Sequence, residues 1–183
     1  MSKRARIISR LFASSALAPE LVMLLARLLN ACHHFPGFVY AAVRLVEATS
    51  TIEVDVRPRR GSKAHCSCCG KAAAGFDVLP VRRFEFIPIW GYAVVLLYAM
   101  RRVQCRCCGV KVESVPWAIG KHSLTKACML YLAHWARKLS WRETTSSFGT
   151  TWDQVCHAVE YVVRMQGRGT GASRTGNLAR HRR

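Results

Sequence analysis

The chain has 183 residues, enough for one domain or two small ones. Its 28 lysines and arginines against 10 acidic residues give a formal net charge of +18, too one-sided for an ordinary solvated surface. This balance predicts a polyanionic partner, with nucleic acid as the default and an anionic membrane surface as the rival. The apolar stretches 21–29 and 86–100 fall short of the roughly 20 residues that a membrane-spanning helix needs, so we expect no membrane partner.

The chain begins with a basic, Ser- and Ala-rich lead, residues 1–18, to which we assign no regular structure. A helix is predicted over residues 19–31, because Pro19 suits a first helical turn and apolar residues follow it. Pro19 and Glu20 also interrupt any signal-peptide core, and no clear cleavage site follows. A secreted, disulfide-linked protein is therefore not expected.

Two strands are predicted after a turn at Phe35-Pro36-Gly37. Partial apolar alternation places them over residues 38–47 and 51–57. A basic loop, residues 57–63, then leads into the first of two cysteine-rich turns.

Two copies of the pattern C-x-x-C-G are the most informative feature of the chain. The first runs from Cys66 to Gly70 and the second from Cys105 to Gly109. Four thiolates in two such turns suit a tetrahedral structural zinc site, and each Gly can take the positive φ that closes its turn. We therefore predict zinc as the cofactor, bound by the outer cysteines of both turns: Cys66, Cys69, Cys105 and Cys108.

Other interpretations of these cysteines remain open. Cys68 and Cys107 are spare thiols that allow a different register, and His65 is a fifth candidate ligand. A disulfide pair and a redox dithiol are the non-metal alternatives, although a redox motif needs only one copy, beside a βαβ pattern that we do not find. The 35 residues between Cys69 and Cys105 exceed the roughly 15–20 of a compact zinc ribbon, so this insert has to fold back on itself.

A β-hairpin accounts for the long insert. Residues 81–87 and 92–103 are predicted to be its strands, and it returns the second cysteine pair to the first. The second strand is apolar on both faces and needs a further partner. The N-terminal strands and a second subunit, in a homodimer, are the two candidates.

The C-terminal part changes to a helical period. Apolar residues at steps of three and four predict an amphipathic helix over residues 124–139. Two capping boxes follow, residues 140–143 and 151–154, with Gly149 between them as a helix end. Two helix starts so spaced have the dimensions of a helix-turn-helix, although plain packing is the alternative. We predict DNA contacts from the last helix by Thr151, Gln154, His157, Tyr161 and Arg164.

Together these elements predict an α+β protein, with a small zinc-ribbon-like β domain and an N-terminal helix, followed by a helical helix-turn-helix domain. The predicted parts are 1–34 (lead and N-terminal helix), 35–118 (zinc-binding β domain), 119–165 (helix-turn-helix domain) and 166–183 (disordered tail). The tail is rich in Gly and Arg and lacks an apolar period, so we expect it to add sequence-independent phosphate contacts.

The order of these parts resembles the transposases of the ISL-three insertion-sequence family over residues 35–163. The likeness is carried by Phe35-Pro36-Gly37, the four outer cysteines and residues 101–105, 112–118 and 124–125. In that family a zinc-finger region and a helix-turn-helix, both taken to bind the terminal repeats of the element, precede an RNase H-like domain with an Asp-Asp-Glu metal site. Here the apolar pattern ends near Met165, and the only aspartates are Asp55, Asp77 and Asp153. The resemblance therefore implies a chain that lacks the catalytic domain.

The function implied by this resemblance is terminal-repeat recognition by a truncated or frameshifted transposase. Its partner would be double-stranded DNA, with no small-molecule substrate, and it would be a bacterial, cytoplasmic, nucleoid-associated protein. An independently evolved short DNA-binding protein would have much the same sequence. The alternative function is a zinc-dependent interaction module that dimerises through residues 86–100 and binds DNA only non-specifically. We expect no enzymatic activity, because four thiolates fill a zinc shell and the carboxylates of a two-metal site are missing.

Overall fold

The computed structural model describes residues 18–171, and for residues 18–22 and 168–171 it describes the backbone alone. The described chain forms two compact units that meet in sequence between Thr125 and Lys126. Residues 1–17, with most of the predicted basic lead, and residues 172–183, with most of the predicted tail, lie outside the described residues.

Within residues 18–125, one helix and six strands form the framework of the first unit: α1 (Ala18–Cys32), β1 (Phe38–Val46), β2 (Thr51–Pro58), β3 (Ala64–His65), β4 (Ala72–Ile89), β5 (Tyr92–Cys105) and β6 (Gly109–Val112). The strands form one sheet in the order β1-β2-β5-β4-β3, and β6 also pairs with β5. Strands β2 and β5 run parallel, whereas the other pairs are antiparallel. A short 3-10 helix (Glu47–Thr49) joins β1 to β2.

The predicted fold class is wrong. The chain is sheet-rich, with a six-stranded mixed sheet, and is not a small zinc ribbon followed by a helical helix-turn-helix domain. The predicted hairpin is present as β4 and β5, but these strands are 18 and 14 residues long. Strands β1 and β2, one of the two candidate partners for the second apolar face of β5, instead pair with its edge through β2. The apolar pattern of a strand indicates which of its faces are buried. It does not indicate which strands form hydrogen bonds with its two edges.

The core of the first unit lies on one face of the sheet. Trp117, from the segment after β6, is its largest fully buried side chain, and its ring centre lies 4.8–6.1 Å from the rings of Phe35, Phe38, Phe84 and Tyr98. Edge-to-face aromatic pairs add about 0.5–1.5 kcal/mol each to the free energy of burial. Helix α1 packs on β1, and its Leu25 and Leu29 are buried. This packing fixes the sheet that carries the cysteine turns.

Ion pairs lie on the other face of the sheet. Arg44 on β1 binds Glu53 and Asp55 on β2, and Arg83 on β4 binds Glu53 at 2.6 Å. The pair from Arg83 to Glu53 crosses β5, where Val95 is buried. Most apolar residues of segment 86–100 pack within the unit, whereas Trp90, in the turn between β4 and β5, is 62% exposed. Dimerisation through this segment stays a prediction.

Three helices form the second unit: α2 (Lys126–Ala136), α3 (Trp141–Phe148) and α4 (Trp152–Gly171). Both predicted capping boxes are present, at Ser140 and at Thr151, and Gly149 ends α3 with a φ of 61°. Val155 and Ala158 of α4 are fully buried. Helix α4 continues to Gly171, so residues 166–171 of the predicted disordered tail are helical.

Replacing Ser140 by Ala should weaken α3 by about 1 kcal/mol. The Ser140 hydroxyl accepts a hydrogen bond from the Glu143 backbone N–H at 3.2 Å, and Ala cannot replace it. We expect the α3 amides to exchange with deuterium roughly fivefold faster, which corresponds to about 1 kcal/mol. Ser146→Ala is the matched control, because Ser146 is exposed within the same helix and Ala is the better helix former. Equal exchange in both variants would contradict the capping role.

Candidate metal centre

The two cysteine turns lie at the same end of the sheet, because the β4–β5 hairpin carries the second turn back to the first. The first turn follows β3, and the second joins β5 to β6, with Cys105 paired to Gly109. We call β3, the two turns and β6 the cysteine end of the sheet. The insert thus folds back on itself, as predicted, and this explains how two cysteine pairs far apart in sequence lie close together.

Four cysteine sulfurs come together at this end. The Sγ atoms of Cys66, Cys69, Cys105 and Cys108 all lie within 4.8 Å of one another, and those of Cys69 and Cys105 are 3.5 Å apart. Cys66 and Cys105 are buried, whereas Cys69 is exposed. These are the four cysteines that the sequence spacing predicts, and together they can hold a metal ion.

Both turns close through a glycine in the left-handed conformation. Gly70 and Gly109 each have a φ of 70°, and no atom would crowd an added Cβ at either position. The requirement for Gly is therefore conformational. In the first turn the Gly70 N–H donates to the Cys66 carbonyl at 2.9 Å, and the Cys66 N–H donates to the Lys71 carbonyl at 2.9 Å.

Backbone N–H groups point at the sulfurs of both turns. The N–H groups of Cys107 and Cys108, together with the Cys69 thiol, lower the pKa of Cys105 to about 6. The Lys71 N–H lowers the pKa of Cys69, but the Cys105 thiol and burial raise it, and the net shift is upward. Hydrogen bonds from fixed N–H groups stabilise a thiolate, the form that binds metals.

The cysteine end is held by packing and by the segment that follows β6. Ala64 and Val103 pack with Cys66 and Cys105 in a small buried cluster. The Ser67 N–H donates to the Val112 carbonyl at 3.2 Å, and the Ser114 N–H donates to the His65 carbonyl at 2.7 Å. These hydrogen bonds join the first cysteine turn to the segment that follows the second turn.

A buried polar network beneath this end escaped the sequence analysis. Glu113 is 2% exposed, and its carboxylate accepts hydrogen bonds from the Tyr98 hydroxyl at 2.5 Å and from the Arg101 backbone N–H at 2.8 Å. The Arg101 guanidinium completes the set through Nε and Nη2. A signal was present, because Glu113 alternates with Val115 and Trp117, which places all three on the same side of an extended segment.

The spare candidates lie outside the group of four sulfurs. Cys68 and Cys107 are exposed, and the Sγ of Cys107 lies 3.8 Å from the Nζ of Lys71. His65 is also exposed and is not part of the group.

The surface around the cysteine turns is basic. Residues 56–76 and 86–112 contain no Asp or Glu, and the nearby Glu113 is buried against Arg101. Asp77, the next acidic residue on β4, is paired with Arg102. The exposed cations of the turns and of the loop before them are Arg57, Arg59, Arg60, Lys63, Lys71, Arg106 and Lys111.

The five residues predicted to contact DNA lie in the second unit, with Thr151 just before α4 and the other four along the helix. The Gln154 side-chain oxygen accepts from the Thr151 N–H at 3.1 Å and from the Thr150 hydroxyl at 2.5 Å, so it is committed to the cap. His157 and Arg164 are exposed, Tyr161 is half-buried, and Arg164 pairs with Glu160 at 3.2 Å. Of the five, Thr151, His157 and Arg164 are exposed, whereas Gln154 and Tyr161 are half-buried.

Comparisons with known protein families, with curated proteins and with solved structures gave no match. Within residues 18–171, no helix has both the length and the apolar character needed to cross a membrane.

Proposed function

We propose that the chain is a non-catalytic, DNA-binding protein whose basic surface is held in shape by a structural zinc ion. The observation that carries this proposal is the four-cysteine cluster within a surface of seven exposed cations. Local positive charge without acidic residues attracts the phosphates of a nucleic acid backbone.

Zinc suits the four sulfurs in both chemistry and size. At a zinc–sulfur distance of about 2.3 Å, tetrahedral sulfurs lie about 3.8 Å apart. The separation of 3.5 Å between Cys69 and Cys105, and the 4.8 Å limit for the whole group, are close to that value. Four thiolates fill a tetrahedral shell, so the proposed role of the metal is structural. Lys71, Arg106 and Lys111 would offset the excess negative charge of the thiolates.

Double-stranded DNA is the proposed partner, and terminal repeats of an insertion element are the proposed target. The resemblance to the ISL-three transposases supports this choice, as does the net charge of +18. In the second unit, the exposed His157 and Arg164 are the best-placed candidates for contacts to DNA. Thr151 and Gln154 would act by fixing the start of α4, because their side chains form its cap.

A zinc-dependent interaction module is the second candidate function. Phe76, Val78 and Val81 on β4 are 56–62% exposed, which is unusual for large apolar side chains on one strand. A homodimer would use this surface or segment 86–100, where Trp90 is 62% exposed. DNA affinity would then be only electrostatic.

Removing two cations of the cysteine end should weaken DNA binding measurably. In the variant Arg106→Gln/Lys111→Gln, we expect the log–log dependence of affinity on salt to flatten by about 1.8, or about 0.9 for each lost phosphate contact. The control Arg83→Gln/Lys121→Gln carries the same charge change away from the cysteine turns and should leave the slope unchanged. Titrations of duplex DNA with repeat and scrambled sequences, at several salt concentrations, provide the measurement. Equal effects of both double variants would argue against a localised DNA surface.

A further inference from the structure

A cleft of about 380 Å³ lies beside the cysteine turns in the first unit. Its lining includes Ser62, Lys63 and His65 before the first turn, and Arg101, Ser114 and Phe38. This volume is at the lower end of the roughly 300–1,000 Å³ typical of small-ligand sites. The cleft therefore has room for a phosphate group with an attached sugar.

The charge of the cleft is positive in spite of Glu113, its one acidic lining residue. The carboxylate of Glu113 is already satisfied by Tyr98 and Arg101, so it presents no free charge to a ligand. Arg101 uses Nε and Nη2 for this pair, and its Nη1 takes no part in it. The exposed ammonium group of Lys63 is then the main charge in the lining.

Ser62 supplies an independent sign of a missing partner. Its hydroxyl oxygen is buried and has no hydrogen-bond partner among the described residues. An unsatisfied buried hydroxyl costs free energy, so a bound ligand or an ordered water is its usual partner. The loop is well fixed, because the Arg59 N–H donates to the Gly37 carbonyl at 2.8 Å and the Ser62 N–H donates to the Arg59 carbonyl at 2.9 Å.

We propose that this cleft binds one phosphate group. Lys63 supplies charge, the exposed side chains of Ser114 and His65 supply hydrogen bonds, and Phe38 offers an apolar wall to an attached sugar. The assignment of the phosphate to a DNA strand rests on the proposed function. Binding of a phosphate at the cleft does not depend on it.

The cysteine turns shape the cleft as well as lying beside it. His65 immediately precedes Cys66, and Cys66 pairs with Glu113 across an isolated bridge. The two walls that carry His65 and Ser114 are joined by the 2.7 Å hydrogen bond between their backbones. A metal held by Cys66 would therefore fix both walls.

The test is a titration of the zinc-loaded, full-length chain with inorganic phosphate, followed by ¹H–¹⁵N NMR. We expect the backbone amides of Ser62, Lys63 and Ser114 to shift in a saturable manner. Lys63→Gln should weaken phosphate binding about tenfold, because it removes a charged hydrogen bond. Lys121→Gln should bind phosphate normally, since Lys121 is exposed and does not line the cleft. Well-dispersed spectra of both variants would show that they fold.

The source of the phosphate is assigned by competition. Displacement of inorganic phosphate by a duplex with 5′-hydroxyl ends assigns an internal backbone phosphate, and displacement only by a 5′-phosphorylated duplex assigns a strand end. If neither duplex displaces phosphate, the DNA source is wrong. If inorganic phosphate shifts none of the cleft amides, or if Lys63→Gln and Lys121→Gln bind it alike, the site itself is wrong. Duplex binding without occupation of the cleft would leave the proposed function standing.

Discussion

Replacing Cys105 by Ser should abolish metal binding and unfold the cysteine end of the sheet. Cys105 is buried, and its sulfur is one of the four in the cluster. Binding of structural zinc supplies about 10–16 kcal/mol in small zinc peptides, and that free energy is folding free energy. Without the ion, this end keeps only the small buried cluster around Val103 and a few backbone hydrogen bonds, and its strands are short, with two residues in β3 and four in β6.

The matched control is Cys107→Ser, in the same turn. Cys107 is exposed and outside the group of four sulfurs, so this variant should keep about one zinc ion per chain. Metal analysis of protein purified without chelator gives the stoichiometry, and hydrogen exchange of the β5 and β6 amides reports the unfolding. If Cys107→Ser loses the metal and Cys105→Ser keeps it, the cysteine register is wrong.

Replacing Glu113 by Ala should cost about 3–5 kcal/mol of the free energy of unfolding of the first unit. The variant leaves the Arg101 guanidinium without its partner, and it also removes the acceptor of the Tyr98 hydroxyl. Breaking one side of a buried pair is costly because the remaining charge stays desolvated. The Arg101 side chain is 21% exposed, so the cost here falls at the lower end of this range. In the zinc-loaded chain, slowly exchanging amides of β5 should exchange roughly 100-fold faster or more.

The neighbouring arginine provides the control for this variant. Arg102 pairs with Asp77, and both side chains of that pair are about 40% exposed, against 1% for Glu113. Asp77→Ala should therefore cost no more than about 1 kcal/mol. If both variants lose a comparable free energy of unfolding, then burial does not determine how much the Glu113–Arg101 pair contributes to stability.

Local patterns were the part of the fold that the sequence could predict. The capping boxes at Ser140 and Thr151 depend on residues three positions apart, and the C-x-x-C-G turns depend on five consecutive residues. The β4–β5 hairpin is also a sequential motif. Each of these elements is determined by neighbours in the chain, so its residues alone identify it.

The lateral order of the strands could not be predicted in this way. Nothing in β2 or β5 marks them as parallel neighbours, because that pairing is decided by the whole sheet. The role of Glu113 depends on Tyr98 and Arg101, which reach it across the sheet. For Gln154, the sequence predicted the capping role correctly. Only the structure shows that the side-chain oxygen used for the cap is then not available to bind DNA.

The parallel pairing of β2 with β5 has a consequence for the order of folding. The whole segment containing β3, β4 and the first cysteine turn lies between these two strands, so their pairing closes a long loop and is entropically late. The β4–β5 hairpin closes locally and needs no such loop. Binding of a metal ion by the four cysteines would then hold the end of β5 beside β3. This would shorten the loop that has to close when β2 pairs with β5. On this view the ion acts as a folding nucleus for the sheet, and a nascent chain without metal would expose the open edges of β2 and β5 for longer.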